Sequence, residues 1–236
     1  MSFRLKVNLI LLFVGMLVML PGGWYVNKVF REKANQDVVK QADIMMESAL
    51  ASRSYTVDMV KPHLDPMLAE KFLPQTVPAF AATETFERFR KKYTNFNYKE
   101  AVLDPTNPRD LADDVEREII KRFIADPSLK EASGEIFRKQ DRHYYVAKPI
   151  QIKNPACLAC HDTPDRAPQT MRTIYGDKGG FGWKKDQIVG AQIIVVPAYE
   201  QDKSTSALLK VIAGVFIGLF LAMALVVNLM IRSDDQ

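Results

Sequence analysis

Two long uncharged stretches, one near each end, set the strongest limit on how this 236-residue chain can fold. Val7 to Asn27 and Val211 to Ile231 each run for about 20 residues without a charge, enough to cross a hydrocarbon core as a helix. A helix satisfies its own backbone hydrogen bonds, which a membrane interior demands. Arg4 and Lys6 precede the first stretch, as in a signal peptide, but no small-x-small cleavage pattern follows. The chain continues Leu20-Pro21-Gly22-Gly23-Trp24-Tyr25, and the two aromatics suit an outer interfacial belt. An uncleaved anchor over residues 7–27 is therefore expected, with a second span over residues 207–231. Gly214 and Gly218 within the second span form a G-x-x-x-G, a pattern that chance spacing explains equally well.

Two spans put both termini on one side. Arg4, Lys6 and Arg232 agree with cytoplasmic placement of residues 1–6 and 232–236, although Lys28, Arg31 and Lys33 just beyond the first span blunt the rule. Residues 28–206 then form one domain on the opposite side. The net charge of +4 is modest, and bases alternate with acids in Arg31-Glu32-Lys33, Glu87-Arg88 and Glu116-Arg117-Glu118. Such alternation marks solvated helix faces and argues against a nucleic-acid footprint.

The chemistry concentrates in Cys157-Leu158-Ala159-Cys160-His161. This is the C-x-x-C-H attachment signature of a c-type haem. Two thiols three residues apart lie on one side of a short helical turn, where they can add to two vinyl groups of one haem. The adjacent imidazole then sits beneath the iron as proximal ligand. A zinc site needs a second ligand pair, and these are the only cysteines in the chain. A redox dithiol wants a βαβ context, which Asn154-Pro155-Ala156 does not supply. Covalent haem attachment normally takes place outside the cytoplasmic membrane, so the motif itself places residues 28–206 in the periplasm or an equivalent lumen.

Local patterns predict an α+β domain. Arg31 to Lys61 lacks Gly and Pro, and Val38, Ala42, Met45, Ala49, Thr56 and Met59 recur at helical spacing, which predicts one long helix ending at Pro62. Its Ala- and Met-rich stripe reads by default as a core face, with a homodimer seam as the alternative. Phe86 to Tyr93 reads as a short amphipathic helix and Tyr98 to Leu103 as a strand. Asp104-Pro105-Thr106-Asn107-Pro108 is a turn. Asp113 is placed to cap a helix from Asp114 to Ala125, with Val115, Ile119, Ile120 and Phe123 on one face. Glu135 to Arg138, His143 to Ile152 and Gln187 to Val196 read as antiparallel strands, so the haem loop lies between two strands.

Taken together, these residues resemble a known family. Ser54-Tyr55-Thr56, Val77-Pro78-Ala79-Phe80-Ala81-Ala82-Thr83, Asn95-Phe96-Asn97-Tyr98-Lys99 and Asp104 to Pro108, with Asp114 and Glu116, follow its order. So do Ala147-Lys148-Pro149-Ile150, the Cys157–His161 motif, Tyr175-Gly176, Gly180-Phe181-Gly182-Trp183 and Val189-Gly190-Ala191. The pattern resembles the bacterial, notably cyanobacterial, haem-binding PAS-like domain family long catalogued as a domain of unknown function. The resemblance implies a PAS-like fold with an antiparallel sheet and a long N-terminal helix, one covalent haem c, and a role in sensing redox state or a small ligand. Many relatives continue into HAMP, kinase or cyclase modules, whereas this chain ends at Asp234-Asp235-Gln236. Signalling through a protein partner is therefore expected.

His161 is expected to bind iron through Nε2. For the opposite side His63 is the first choice, and Met46, Met59 and His143 are the alternatives; Met45 and Met67 are further thioethers in the same region. Arg53, Arg138, Arg142 and Lys148 are candidates to pair with the haem propionates. Phe181 and Trp183 are candidate walls of the haem. No positioned acid/base set supports an enzyme. The functional expectation is a membrane-anchored monohaem protein that senses redox state or a small ligand through a partner. The alternative is an electron-transfer cytochrome c, free-standing or an accessory subunit of a membrane complex.

Overall fold

The computed structural model describes residues 3–138 and 141–234, and the chain divides into two units. One runs from Val38 to Pro197; the other joins the chain up to Asp37 with the chain from Ala198 onward.

Helix α1 (Phe3–Tyr55) passes through Pro21 without interruption, and a π-helical turn (Thr56–Val60) and the short α2 (Lys61–Leu64) follow it. The long helix predicted up to Lys61 is thus present, with its register widened over the last turns. Val38, Ala42, Met45, Met46, Ala49 and Thr56 are buried, so the stripe is used as core; Met59 is the exception and is exposed. Helix α3 (Pro78–Arg90) begins earlier than the amphipathic pattern suggested, because Pro78 sits in the first turn, where its missing N–H costs nothing. Strand β1 (Asn97–Val102) follows, then α4 (Asp114–Ala125). Its capping box is complete: Asp113 accepts from the Glu116 N–H, and the Glu116 carboxylate accepts from the Asp113 N–H. The buried face of α4 holds Glu116, Ile119, Ile120 and Phe123. Val115, predicted on that face, is exposed; Glu116 takes the inward place because Lys99 and Arg138 neutralise it.

Strands β2 (Ala132–Arg138) and β3 (Asp141–Gln151), the one-turn α5 (Leu158–His161), α6 (Gln169–Tyr175) and β4 (Ile188–Pro197) complete the domain. The sheet is wholly antiparallel in the order β1-β4-β3-β2, with Tyr98 opposite Ile194 and Val146 opposite Ile194 on the other side. All ten residues of β4 are buried, which explains why its sequence is a nearly unbroken apolar run rather than an alternation. Ala101, Ala147, Ala191, Ile193 and Val195 face α4 through Ile119, Ile120 and Phe123. The opposite face carries Tyr98, Glu100, Val146, Ile194 and Val196, all buried. On that face α1 is tied to the sheet by Arg53–Glu100 and by Glu47–Lys148.

Between β3 and β4 the chain makes one long excursion. A register shift at Ile150/Gln151 turns β3 out of the sheet. The base of the excursion is closed by the Ile152 N–H donating to the Gln187 carbonyl and the Asp186 N–H donating to the Ile152 carbonyl, both at 2.9 Å.

In the other unit, α7 (Tyr199–Asp234) lies antiparallel to the first part of α1. Asn8 and Asn228 exchange side-chain amide hydrogen bonds at 3.1 and 2.8 Å. One turn and more along, Gly15 lets the Phe220 ring come so close that a Cβ at Gly15 would lie 2.6 Å from it. Gly214 and Gly218 face no neighbouring atom, so Gly15, not the G-x-x-x-G, makes the close approach. Both helices are long and apolar enough to cross a membrane. The side chains of Arg4 and Arg232, used to assign orientation, lie outside the described residues.

Candidate functional site

The excursion folds its cysteine motif locally. The Asn154 side chain accepts from the Ala156 N–H at 2.9 Å, and Pro155 opens a tight turn that runs into α5. Cys157 and Cys160 are consequently on one side of the turn, half-buried and unpaired as a disulfide. Burial pushes the Cys160 thiol up, which favours its protonated form.

His161 is fixed from both edges. Its Nδ1 donates to the Gly180 carbonyl at 2.7 Å, which leaves Nε2 without a proton and free to bind a metal. Burial lowers its pKa and the Gly180 carbonyl partly opposes this, so the ring is neutral at pH 7. Trp183 stacks on the imidazole at 4.0 Å with 13° between the planes. The Trp183 N–H donates to the His161 carbonyl at 3.1 Å, and the Gly182 N–H to the Asp162 carbonyl at 2.6 Å. Gly180 has φ +80°, and a Cβ there would collide with Thr106. The carbonyl that orients His161 therefore needs glycine on both conformational and steric grounds.

Cys157, Cys160 and His161 all line one cavity of about 300 Å³. Val102, Ile150 and Ile152 come to it from the sheet, Leu68, Phe72 and Val77 from the segment after α2, and Val57 from the π turn. Two thiols, an imidazole with a free Nε2 and a mostly apolar slot are the donor set and container that a thioether-linked porphyrin requires. The polar part of the lining comprises Arg53, Lys61, Glu100, Arg109 and Asp110, with Thr106, Asn107 and Tyr175. Arg53 donates to Glu100 Oε1 at 2.6 Å and the Tyr98 hydroxyl donates to the same oxygen, while buried Oε2 has no partner. Burial raises Asp110 to about 6; Arg109 opposes the shift and Glu100 adds to it.

The remaining predicted site residues are not gathered here. His63 is exposed and lies off the cavity lining; Lys61, two residues earlier and so about 200° around the helix, takes the inward place. Met59 and Met67 are exposed, Met45 and Met46 are packed in the core beneath α1, and His143 bonds to the Asp141 carbonyl at the far end of β3. None of these lines the cavity. Among the described residues the thioether on the lining is Met171, packed with Phe72 and Cys160. Of the four propionate candidates only Arg53 is on the lining. Arg138 pairs with Asp113 and Glu116, Arg142 with Glu135, and Lys148 with Glu47. Arg109 and Lys61 were missed; the signal for Arg109 was its place directly after the Asp104–Pro108 turn.

The model of the Tll0287-like family matches residues 31–197. The chain belongs to the Tll0287-like family. The resemblance read from the motifs is thus borne out over the whole of the unit that carries the cavity. The fold is similar to the crystal structure of the cyanobacterial heme-protein Tll0287, with a TM-score of 0.51 and 15% identity over 67% of this chain and 94% of that one. At that identity the likeness concerns the fold of the Tll0287-like domain alone. No curated protein matches the chain.

Proposed function

We propose that this Tll0287-like domain carries one covalently attached haem c, bound through Cys157 and Cys160 with His161 as proximal ligand, and responds to redox state or to a small ligand. The observation that carries the reading is the convergence of both thiols and a neutral, Nδ1-anchored imidazole on one apolar cavity. When bound, the group supplies a one-electron couple and an iron coordination position. Arg53, Arg109 and Lys61 are the cations positioned on the lining to neutralise its propionates. Among the described residues no imidazole other than His161 lines the cavity. Met171 on the lining could supply a second ligand, as a carrier would need, whereas a ligand from solution in that place would suit a sensor. The two apolar helices anchor the domain on the outer side of a membrane with both termini cytoplasmic, and a protein partner transmits the response.

Haem staining of the denatured full-length chain tests the attachment. A stained band and c-type ferrous absorption are expected, and C157A/C160A should lose the band; an unstained wild-type band refutes the reading. Carbon monoxide should bind the reduced protein. If it does not, electron transfer replaces ligand sensing.

A further inference from the structure

A haem that carries electrons or senses redox state must exchange electrons with something outside, and Trp183 is the aromatic residue stacked on the imidazole at the edge of the cavity. One indole face stacks on His161 at 4.0 Å and 13°. Trp183 also lines a separate surface depression with Leu103, Ile124, Pro127 and Phe181. A tryptophan serving only as core would be enclosed, whereas Trp183 is half-buried and belongs to both hollows. Its position does not depend on side-chain packing alone. The main-chain bonds from Trp183 to the His161 carbonyl and from Gly182 to the Asp162 carbonyl fix the stack from the backbone.

We propose that Trp183 is the electron exit of the domain: the π contact through which one electron passes between an iron held by His161 and a one-electron protein carrier outside. The inference rests on the haem reading above. In the outward direction ferrous iron becomes ferric and the carrier's metal gains one electron. No proton moves, no covalent bond forms or breaks, and the indole is a medium rather than a reactant.

The test uses the full-length haem-loaded chain in detergent, as wild type, W183F and W183L. Each ferrous protein is mixed with oxidised azurin, whose copper band is followed separately, and with ferricyanide, which is small enough to enter the cavity mouth. With azurin, W183L should be slower by about tenfold or more, a barrier change on the scale of one decade in rate, and W183F should recover much of the loss by keeping a ring over His161. With ferricyanide all three should react alike, at unchanged potentials. An unchanged azurin rate for W183L overturns the proposal. So does equal slowing with ferricyanide, which would make Trp183 a support for the haem and no more. Should W183L fail to load haem, W183M, which fills the space without a ring, takes its place: an azurin rate equal to wild type overturns the exit. Absence of haem from the wild type refutes the haem reading and the exit together, whereas loaded haem with unchanged rates refutes the exit alone.

Discussion

Replacing Asp110 by Asn should stabilise the protein, and only above a definite pH. Asp110 lies on the cavity lining, its side chain 18% exposed, with Arg109 Nε no closer than 3.7 Å. Burial lifts its carboxyl from 3.8 to about 6. In the folded protein the ionised form is disfavoured relative to the unfolded chain, where the carboxyl titrates normally. Below the unfolded value both states are protonated and nothing is lost. As the pH rises past the unfolded value of 3.8 the unfolded chain ionises first and a destabilisation develops, and it is complete once the pH has passed the folded value of about 6. At about 1.4 kcal/mol per pKa unit the shift bounds this at about 3 kcal/mol; partial exposure lowers the expectation to about 1–3 kcal/mol. Asn copies the neutral acid in shape. D110N should therefore gain that amount at pH 7–8 and at most about 0.5 kcal/mol at pH 4. Urea unfolding of the full-length chain in mild detergent, followed by circular dichroism from pH 4 to 8, measures the gap. A difference that does not change with pH, or a less stable D110N at pH 8, refutes the reasoning.

Other perturbations follow from the same neighbourhood. R53A leaves Glu100 buried beside Tyr98 without its cation, at a cost of about 3–5 kcal/mol in the same unfolding assay; R53A/E100Q should recover part of it. G180A combines a left-handed backbone position, at about 1–2 kcal/mol, with a collision at Thr106. It should be destabilised by more than the conformational term alone, and T106A should relieve part of that. N8L removes the reciprocal amide bonds to Asn228 and should weaken pairing of the two apolar helices by about 1 kcal/mol, seen as a lower detergent-denaturation midpoint.

Features with a local cause were legible in the sequence. The Asp113 cap, the central strand and the cysteine turn each follow from a few adjacent residues, and all appear where expected. The cavity was legible in its attachment side because Cys157, Cys160 and His161 are contiguous. Of its polar wall only Arg53 was legible, because Glu100 and Arg109 come from β1 and the turn after it, and nothing in their local sequence reveals the meeting with Arg53. His63 attracted attention as one of three histidines, but helical phase puts it about 200° around the axis from the cavity-lining Lys61, which a count of histidines does not reveal. Glu116 was missed as a buried residue for the same kind of reason: its partners Lys99 and Arg138 lie on β1 and β2.

The two hydrogen bonds joining Ile152 to Gln187 and Asp186 have a bearing on assembly order. They close the cysteine-bearing excursion at its neck, while β3 and β4 pair through a ladder that lies wholly outside it. Opening the neck leaves every pair of the β3–β4 ladder in place. The sheet can thus serve as a finished frame while the excursion is still open to an attachment apparatus, and the Gly180 carbonyl meets His161 only when the excursion folds back. If a haem is attached there, setting the His161 geometry can follow folding of the sheet rather than precede it.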